Sequence, residues 1–414
     1  MTLLPPLNNK LFSVLIVIAL LLPFVGATSY NVIKDPFEIF HRDKTEPAAF
    51  LGGRGKDRYQ HAGVVLQYQP KSIIIGHSHA ANFLPSRVDR ILGLQDTYSL
   101  TLDAGSIFEQ NKIARFALKN SEIRDVMWLF ATYYFHQKAD FTNRKIPFPH
   151  FLYDENRLND ISLFDTLPMT KQVEEKSRLR NKLRRLARQS PTHIDPRDYS
   201  TAWHWNVAKT KYNRPVAITQ HILGKQPVTR KIIANLHQEQ SFTRKYIEDL
   251  AVQVPHYESN LRQNILPLIQ SYPNITFRII VDPPFPLLYW QRKKTSNRNR
   301  YDQHIVLLKR FVHDLAQFPN VKIYGFGGER LTSDLRLYRD KRHYHMSVND
   351  YMLESMSMGR NHLTPENIID YLVRFDERVS HYSLQPEWDP DISSDPTLLK
   401  GLSEEEARTI IIKR

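Results

Sequence analysis

The chain contains 414 residues, with 57 lysines and arginines, 43 aspartates and glutamates and no cysteine, so its formal net charge is +14. This length accommodates one elaborated α/β domain or two to three smaller domains, with a sizeable core. The absence of cysteine excludes disulfides and cysteine-ligated metal sites. A basic chain favours an anionic partner. We expect an acidic polymer or anionic lipid but no nucleic acid, because no nucleic-acid-binding motif is present.

An apolar stretch of 17 residues, 11–27, follows Lys10 near the amino terminus. Its length is at the short end of the range for a membrane-spanning helix, and residues 25–27 (Val-Gly-Ala) are also typical of a signal-peptide cleavage site. We therefore predict that residues 1–30 form a single membrane anchor or a cleaved signal. Since positive charge stays on the cytoplasmic side, the bulk of the chain is expected to be extracytoplasmic or periplasmic.

Five apolar runs predict the strands of a sheet. Most of them lack a clean alternation of apolar and polar residues, as expected for parallel strands that are covered on both faces. Segments with a helical period separate the runs, so the sequence predicts an α/β fold with a parallel sheet flanked by helices. The predicted strands are Ser72–Gly76, Tyr98–Leu102, Val126–Phe130, Ile275–Val281 and Val321–Phe326, and predicted helices include Ile107–Lys119 and a segment from a Thr364 N-cap and Pro365 to about Phe375.

One serine and a distant aspartate–histidine pair have the character of a catalytic site. Ser78 follows the first predicted strand within the sequence Gly-His-Ser-His, and Asp340 and His343 lie far down the chain. A strand that ends in Gly-x-Ser places a hydroxyl at the carboxyl edge of a parallel sheet, where open α/β folds bind ligands. A serine hydroxyl needs a base that removes its proton, and that base needs a group that orients it. Ser78, His343 and Asp340 are therefore a candidate triad.

Three motifs resemble those of the SGNH or GDSL-type esterases and acyltransferases, and they lie at residues 73–78, 100–109 and 340–344. They are most similar to the membrane-anchored bacterial branch that is related to the teichoic acid D-alanyl transfer protein and the alginate O-acetyltransferases. The resemblance implies an SGNH-like (flavodoxin-like) sheet, Ser78 as nucleophile, Asp340 and His343 as its partners, and an oxyanion hole formed by N–H groups of Ser78 and Gly105. We expect neither a metal nor a cofactor.

Two positions depart from the family pattern, and a rival site remains open. His77 stands where an aspartate usually precedes the serine, and residues 131–134 (Ala-Thr-Tyr-Tyr) occupy the expected place of a Gly-x-Asn-Asp block. The oxyanion hole is therefore incompletely accounted for. The rival site would combine the pairs His77/His79 and His343/His345 around zinc, which imidazole suits. No nearby acidic pattern recommends it.

The alternation of strands and helices stops between residues 137 and 265, which we predict to be a mainly helical insertion or lid. It contains a basic segment, Lys171–Arg188, followed by Tyr199, Trp203, His204, Trp205 and Tyr212. This region is either a groove for a glycan or acidic polymer, or a solvated basic helix beside a small aromatic core. The predicted organisation is an anchor at 1–30, an SGNH-like domain in two parts at 31–136 and 266–378, the insertion at 137–265, and a tail at 379–414.

A second basic cluster, between Arg292 and Arg300, follows the proline-rich loop that leaves the fourth predicted strand. That loop opens on the same edge of the sheet as Ser78, so positive charge is expected near the active site. The predicted substrate contacts are His79, Tyr133 and Arg292.

These patterns predict an extracytoplasmic serine-dependent acyltransferase or esterase that acts on a cell-envelope polysaccharide or other polymer. Its expected partners are an anionic or glycan polymer, the membrane through the amino-terminal segment and, in a transferase, a membrane protein that donates the acyl group. The alternative is a non-catalytic envelope assembly protein that binds polymer and retains the fold. The presence of Ser78, Asp340 and His343 favours the enzyme. The two departures from the family pattern favour the alternative.

Overall fold

A computed structural model describes residues 9–46, 48–52, 55–163, 169–189, 195–198, 215–224, 236, 240–385, 388 and 404–412. Its strands are β1 (Ser72–Gly76), β2 (Thr97–Ser99), β3 (Asp125–Leu129), β4 (Thr276–Asp282), β5 (Val321–Gly325) and β6 (His362–Leu363). They form one sheet in the order β2-β1-β3-β4-β5-β6. The first five strands are parallel, and β6 pairs antiparallel with β5 at the edge.

Helices connect the strands and cover the sheet. All five residues of β1 are buried, as expected for a strand covered on both faces. A π-helical turn, Leu261–Ile265, joins two short helices, Tyr257–Asn260 and Leu266–Ser271. The helices are α1 (Asn9–Lys34), α2 (Asp57–Tyr68), α3 (Pro85–Leu92), α4 (Ile107–Asn120), α5 (Met169–Gln189), α6 (Pro215–Leu223), α7 (Arg244–Asp249), α8 (Tyr257–Asn260), α9 (Leu266–Ser271), α10 (Leu287–Ser296), α11 (Arg298–Ala316), α12 (Met346–Ser357), α13 (Ile368–Ser380) and α14 (Glu404–Ile412).

The strand order places a topological switch point between β1 and β3. The chain leaves β1 for β2 on one side, and it returns to β3 on the other side of β1. In such open sheets the loops at the carboxyl ends of the two central strands diverge and leave a crevice, which is the usual ligand site. The loop that begins with His77 and the loop that begins with Phe130 therefore face each other across this crevice.

The predicted α/β class with a mostly parallel sheet is confirmed, and the predicted bounds differ mainly at two places. The second strand begins one residue earlier than predicted, at Thr97, and its regular ladder ends at Ser99. Beyond the ladder the chain stays alongside β1, because the N–H groups of Leu100 and Leu102 donate to the Ile74 and Gly76 carbonyls at 2.8 and 2.9 Å. The last predicted helix begins at Ile368 rather than after Thr364, and it continues to Ser380. The reason is a local turn, in which the Thr364 N–H donates to the Asn367 side chain at 2.9 Å.

The amino-terminal helix α1 is long and apolar enough to cross a membrane. Its large apolar side chains are exposed, with Leu20 at 72% and Leu22 at 62% of full accessibility. A signal sequence has the same character, so by length and composition the helix suits either a membrane anchor or a signal.

The basic helix α5 forms ion pairs with the segment that follows α1. Lys176 Nζ lies 2.9 Å from Glu38 Oε1 and donates to the Pro36 carbonyl at 2.8 Å. Arg180 lies 3.2 Å from the same carboxylate. Burial lowers the pKa of Lys176 to about 8, against the opposing effect of Glu38. Part of the basic charge in this segment therefore holds the helix in place. The aromatic residues between 199 and 212 lie outside the described residues.

Candidate active site

Ser78 lies on a tight turn at the carboxyl end of β1. Gly76 has a φ of +150°, and a Cβ there would lie 2.9 Å from the Leu129 carbonyl oxygen and from the Ala80 Cβ. The turn is closed by the Ala80 N–H, which donates to the His77 carbonyl at 2.8 Å. Because only glycine tolerates this φ and this close approach, Gly76 allows the chain to turn directly before the serine.

The structure brings Ser78 together with His343 and Asp340. Ser78 Oγ lies 2.8 Å from His343 Nε2, and His343 Nδ1 lies 2.8 Å from Asp340 Oδ2. When Nδ1 carries the proton and donates to the carboxylate, Nε2 is the nitrogen that accepts a proton from the serine hydroxyl. The arrangement is therefore that of a nucleophile, a base and an orienting acid.

Asp340 is held as a carboxylate by the loop that contains it. The backbone N–H groups of Arg342 and His343 each donate to Asp340 Oδ1 at 2.9 Å. Burial by itself raises the pKa of Asp340, but the hydrogen bond with His343, its charge and the two N–H donors together lower that pKa to about 2. The ionised carboxylate can thus orient the imidazole and stabilise an imidazolium.

Two hydrogen bonds join the serine turn to the histidine loop. The Asn82 side-chain amide donates to the Tyr344 carbonyl at 3.3 Å, and the Tyr344 hydroxyl lies 3.4 Å from the His79 carbonyl. The loop itself is closed by the His345 N–H, which donates to the Leu337 carbonyl at 2.7 Å. Sequence reasoning missed the positioning roles of Asn82 and Tyr344. The only signal was their place beside the two motifs.

His77 and His79 form a buried wall beside the triad. The His77 ring stacks on Tyr134 with centroids 4.7 Å apart, and the His79 ring packs edge-on against His343, also at 4.7 Å. Burial, together with neighbouring positive charge, lowers the pKa of both rings well below the usual value. At neutral pH both rings are therefore uncharged. His79, a predicted substrate contact, is 3% exposed and supports the His343 ring.

Gly105 lies in a loop that a buried charge network fixes. Its N–H donates to the Leu102 carbonyl at 3.3 Å, and the preceding Ala104 has a φ of +50°. The Asp103 N–H donates to Asp57 at 2.6 Å, and Arg58 donates to the Asp103 carbonyl at 3.1 Å. A non-glycine residue in this φ region is held there by its surroundings. The Gly105 N–H, which the family resemblance assigns to the oxyanion hole, is thus engaged in a long hydrogen bond within its own loop.

Tyr133 and Arg342 form the other wall. Tyr133 lies on the short 3₁₀ turn after β3, and the Arg342 guanidinium lies 4.3 Å from the centroid of its ring. Burial lowers the pKa of both Lys293 and Lys341, and the positive charges of Arg342 and of the half-buried Arg292 lower both further. Positive charge therefore does collect beside the triad.

The second basic cluster is divided between two environments. Lys294 is fully buried, and its Nζ lies 2.8 Å from Asp376 Oδ1. Arg298 donates to Asp302 at 2.9 Å. Lys294 therefore joins α10 to α13 and Arg298 pairs within α11, whereas Arg292, Lys293 and Arg300 lie toward Arg342. The helical period explains the division, since neighbours in the sequence point in different directions.

The histidine pairs do not form a metal-ligand group within the described ranges, where no cluster of three or more histidine, aspartate or glutamate side chains has suitable geometry. His345 has a different contact. Its Nδ1 accepts a hydrogen bond from the Ser347 N–H at 3.1 Å, so the ring caps α12.

No protein-family model matches this chain, and no curated protein is detectably similar to it. The resemblance to SGNH-type enzymes therefore depends on the three short motifs alone.

Proposed function

We propose that the protein is a serine-dependent acyltransferase or esterase that acts outside the cytoplasm on a cell-envelope polysaccharide or other polymer. The observation that carries the proposal is the continuous set of contacts from Ser78 Oγ to His343 and from His343 to Asp340, each 2.8 Å long. This set lies at the switch point of the sheet, where α/β enzymes bind their substrates. The apolar helix α1 supports a location at or beyond the membrane.

The chemistry would proceed in two steps. His343 Nε2 removes the proton from Ser78 Oγ while the oxygen attacks the ester carbonyl carbon, and the tetrahedral oxyanion collapses as His343 returns the proton to the departing alcohol. The acyl group is then bound to Ser78. Water or a sugar hydroxyl, deprotonated by the same imidazole, attacks the acyl carbon and releases Ser78. Water gives hydrolysis, and a sugar hydroxyl gives transfer.

One observation favours the alternative of a non-catalytic polymer-binding protein. The N–H of Gly105 donates to the Leu102 carbonyl, and an oxyanion donor must instead point at the substrate oxygen. A small rotation of the Leu102–Gly105 turn on substrate binding is required if Gly105 is to serve the enzyme.

The proposal is tested by a fluorophosphonate, which reacts covalently with activated serines, on the full-length protein in detergent. Labelling of the parent, mapped to Ser78 and absent from Ser78→Ala, is the expected result. An unlabelled parent that still binds envelope polysaccharide would favour the assembly-protein alternative.

A further inference from the structure

A cavity of about 200 Å³ is formed between the loop after β3 and helices α10 and α11. Arg342, which directly precedes the catalytic histidine, is part of its lining. The side chains that matter here are Tyr133, Tyr289, Trp290, Lys293, Arg300 and Arg342.

The charge of this cavity is not balanced by acids. Among the described residues, no carboxylate forms an ion pair with Lys293, Arg300 or Arg342. Asp340, the acid on the same loop as Arg342, is hydrogen-bonded to His343. Burial and then the charges of neighbouring arginines and Lys341 lower the pKa of Lys293, which is the direction that uncompensated positive charge produces. The cavity therefore favours a negatively charged occupant.

Buried donors without partners also line it. The Trp290 side chain is 5% exposed, and its Nε1–H has no hydrogen-bond partner among the described residues. The Arg342 Nε–H is buried and equally without a partner within that part of the chain. Buried donors are usually satisfied, so such groups beside a cavity mark a place where a ligand supplies the acceptors.

Aromatic rings complete the lining. Arg342 lies 4.3 Å from the Tyr133 ring centroid and 5.9 Å from that of Tyr289, while Lys293 Nζ lies 5.6 Å from the latter. Aromatic rings offer flat apolar faces to pack against, and arginine offers paired N–H groups that match carboxylate and phosphate oxygens.

We infer that this cavity binds an anionic sugar unit of the substrate, with Lys293, Arg300 and Arg342 contacting its carboxylate or phosphate and the tyrosines packing on its ring. The inference rests on the proposed function, since it makes the cavity the subsite that presents the neighbouring ester or hydroxyl group to Ser78.

The kinetic test compares two esters that differ in one charge, an O-acetylated methyl glucuronoside and the matching methyl glucoside. The full-length protein in detergent should favour the glucuronoside in kcat/KM by about tenfold or more, the scale of a charge-assisted contact. Lys293→Gln and Arg300→Gln should each reduce this preference about tenfold. Lys322→Gln, at the amino end of β5 and on the opposite edge of the sheet, is the matched control and should retain it.

Equal kcat/KM for the two esters, or a preference that both variants retain, would overturn the subsite while Ser78-dependent turnover still supported the proposed function. Binding to full-length Ser78→Ala, measured by calorimetry, separates the two ideas in the other direction. Glucuronate or glucose 6-phosphate should bind more tightly than glucose and more weakly in added salt. The tighter of the two identifies carboxylate or phosphate. If glucose binds equally well, the cavity is not an anion subsite. Anion binding without any ester turnover would contradict the proposed enzymatic function but would still support an anion-binding cavity.

Discussion

Arg58 Nη2 lies 2.9 Å from Glu109 Oε2, and neither side chain has any exposed area. The same carboxylate accepts a hydrogen bond from the Ser106 N–H at 3.0 Å, where it completes the capping box that begins α4. Arg58 also donates to the Asp103 carbonyl at 3.1 Å. The pair thus fixes the loop that contains Gly105 to the start of α2.

Replacing Arg58 with methionine should lower the free energy of unfolding by about 3–5 kcal/mol, because Glu109 is left as a buried carboxylate without its cation. Denaturant unfolding of the full-length protein in detergent measures the change. The double variant Arg58→Met/Glu109→Gln should recover much of the loss. The control is Lys119→Gln. Lys119 lies on α4, as Glu109 does, and its ion pair with Glu155 is exposed. A loss from Arg58→Met no larger than that of the control would contradict the structural role.

Acid should destabilise the protein through buried His61. Its Nε2 lies 2.8 Å from the Thr101 carbonyl, and burial lowers its pKa to about 4 from a usual value near 6.5. Between these two values the unfolded chain binds a proton that the folded chain does not, so stability falls as pH falls from about 6.5 to about 4. This loss amounts to about 3 kcal/mol.

His61→Gln retains a donor for Thr101 but does not titrate. Unfolding free energies measured from pH 4 to 7 should therefore depend less on pH in this variant, by about one proton in the slope. His313→Gln, an exposed change on α11, serves as the comparison. An unchanged slope in His61→Gln would mean that this ring does not remain neutral in the folded protein.

The strands, and the contacts of His343 with Ser78 and Asp340, were predictable because each leaves a local pattern. Dense apolar runs such as Ser72–Gly76 indicate buried parallel strands, and a serine after such a run together with Asp340 and His343 gives a recognisable combination. Thr364 was wrongly placed at the start of α13, because the hydrogen bond to the Asn367 side chain that closes the preceding turn has no sequence signal of its own.

Charge could not be assigned from sequence in the same way. Lys294 and Arg292 are neighbours in one basic run, yet Lys294 is fully buried against Asp376, 82 residues away in the sequence, while Arg292 lies toward the candidate active site. Arg58 stands in a polar stretch beside Asp57, and Glu109 and the Asp103 carbonyl are brought to it only by tertiary packing. Long-range pairing of this kind depends on the fold and not on local composition.

The membrane topology is testable independently of the chemistry. Lys10 lies in the first turn of α1 and precedes its apolar stretch, so by the positive-inside rule the remainder of the chain should be outside the cytoplasm. Alkaline phosphatase, which is active only outside the cytoplasm, should therefore be active when fused to the carboxyl end. A fusion of green fluorescent protein, exported by the same general route, should stay dark. A fluorescent fusion of green fluorescent protein together with an inactive phosphatase fusion would contradict the location outside the cytoplasm.

The triad should behave as one unit. Ser78→Ala and His343→Ala should each lower kcat on a small aryl ester by about a thousandfold or more, and the double variant should lose little beyond either single change, because groups that act in the same step are strongly non-additive. Asp340→Asn should be comparable or milder, since it removes only the orienting carboxylate.

Ser357→Ala, an exposed serine at the end of α12, is the matched control and should keep full activity. Far-ultraviolet circular dichroism of every variant must match the parent. If Ser78→Ala retained turnover, or if the two single losses multiplied in the double variant, Ser78 and His343 would not share a catalytic step, and the 2.8 Å contact between them would be structural.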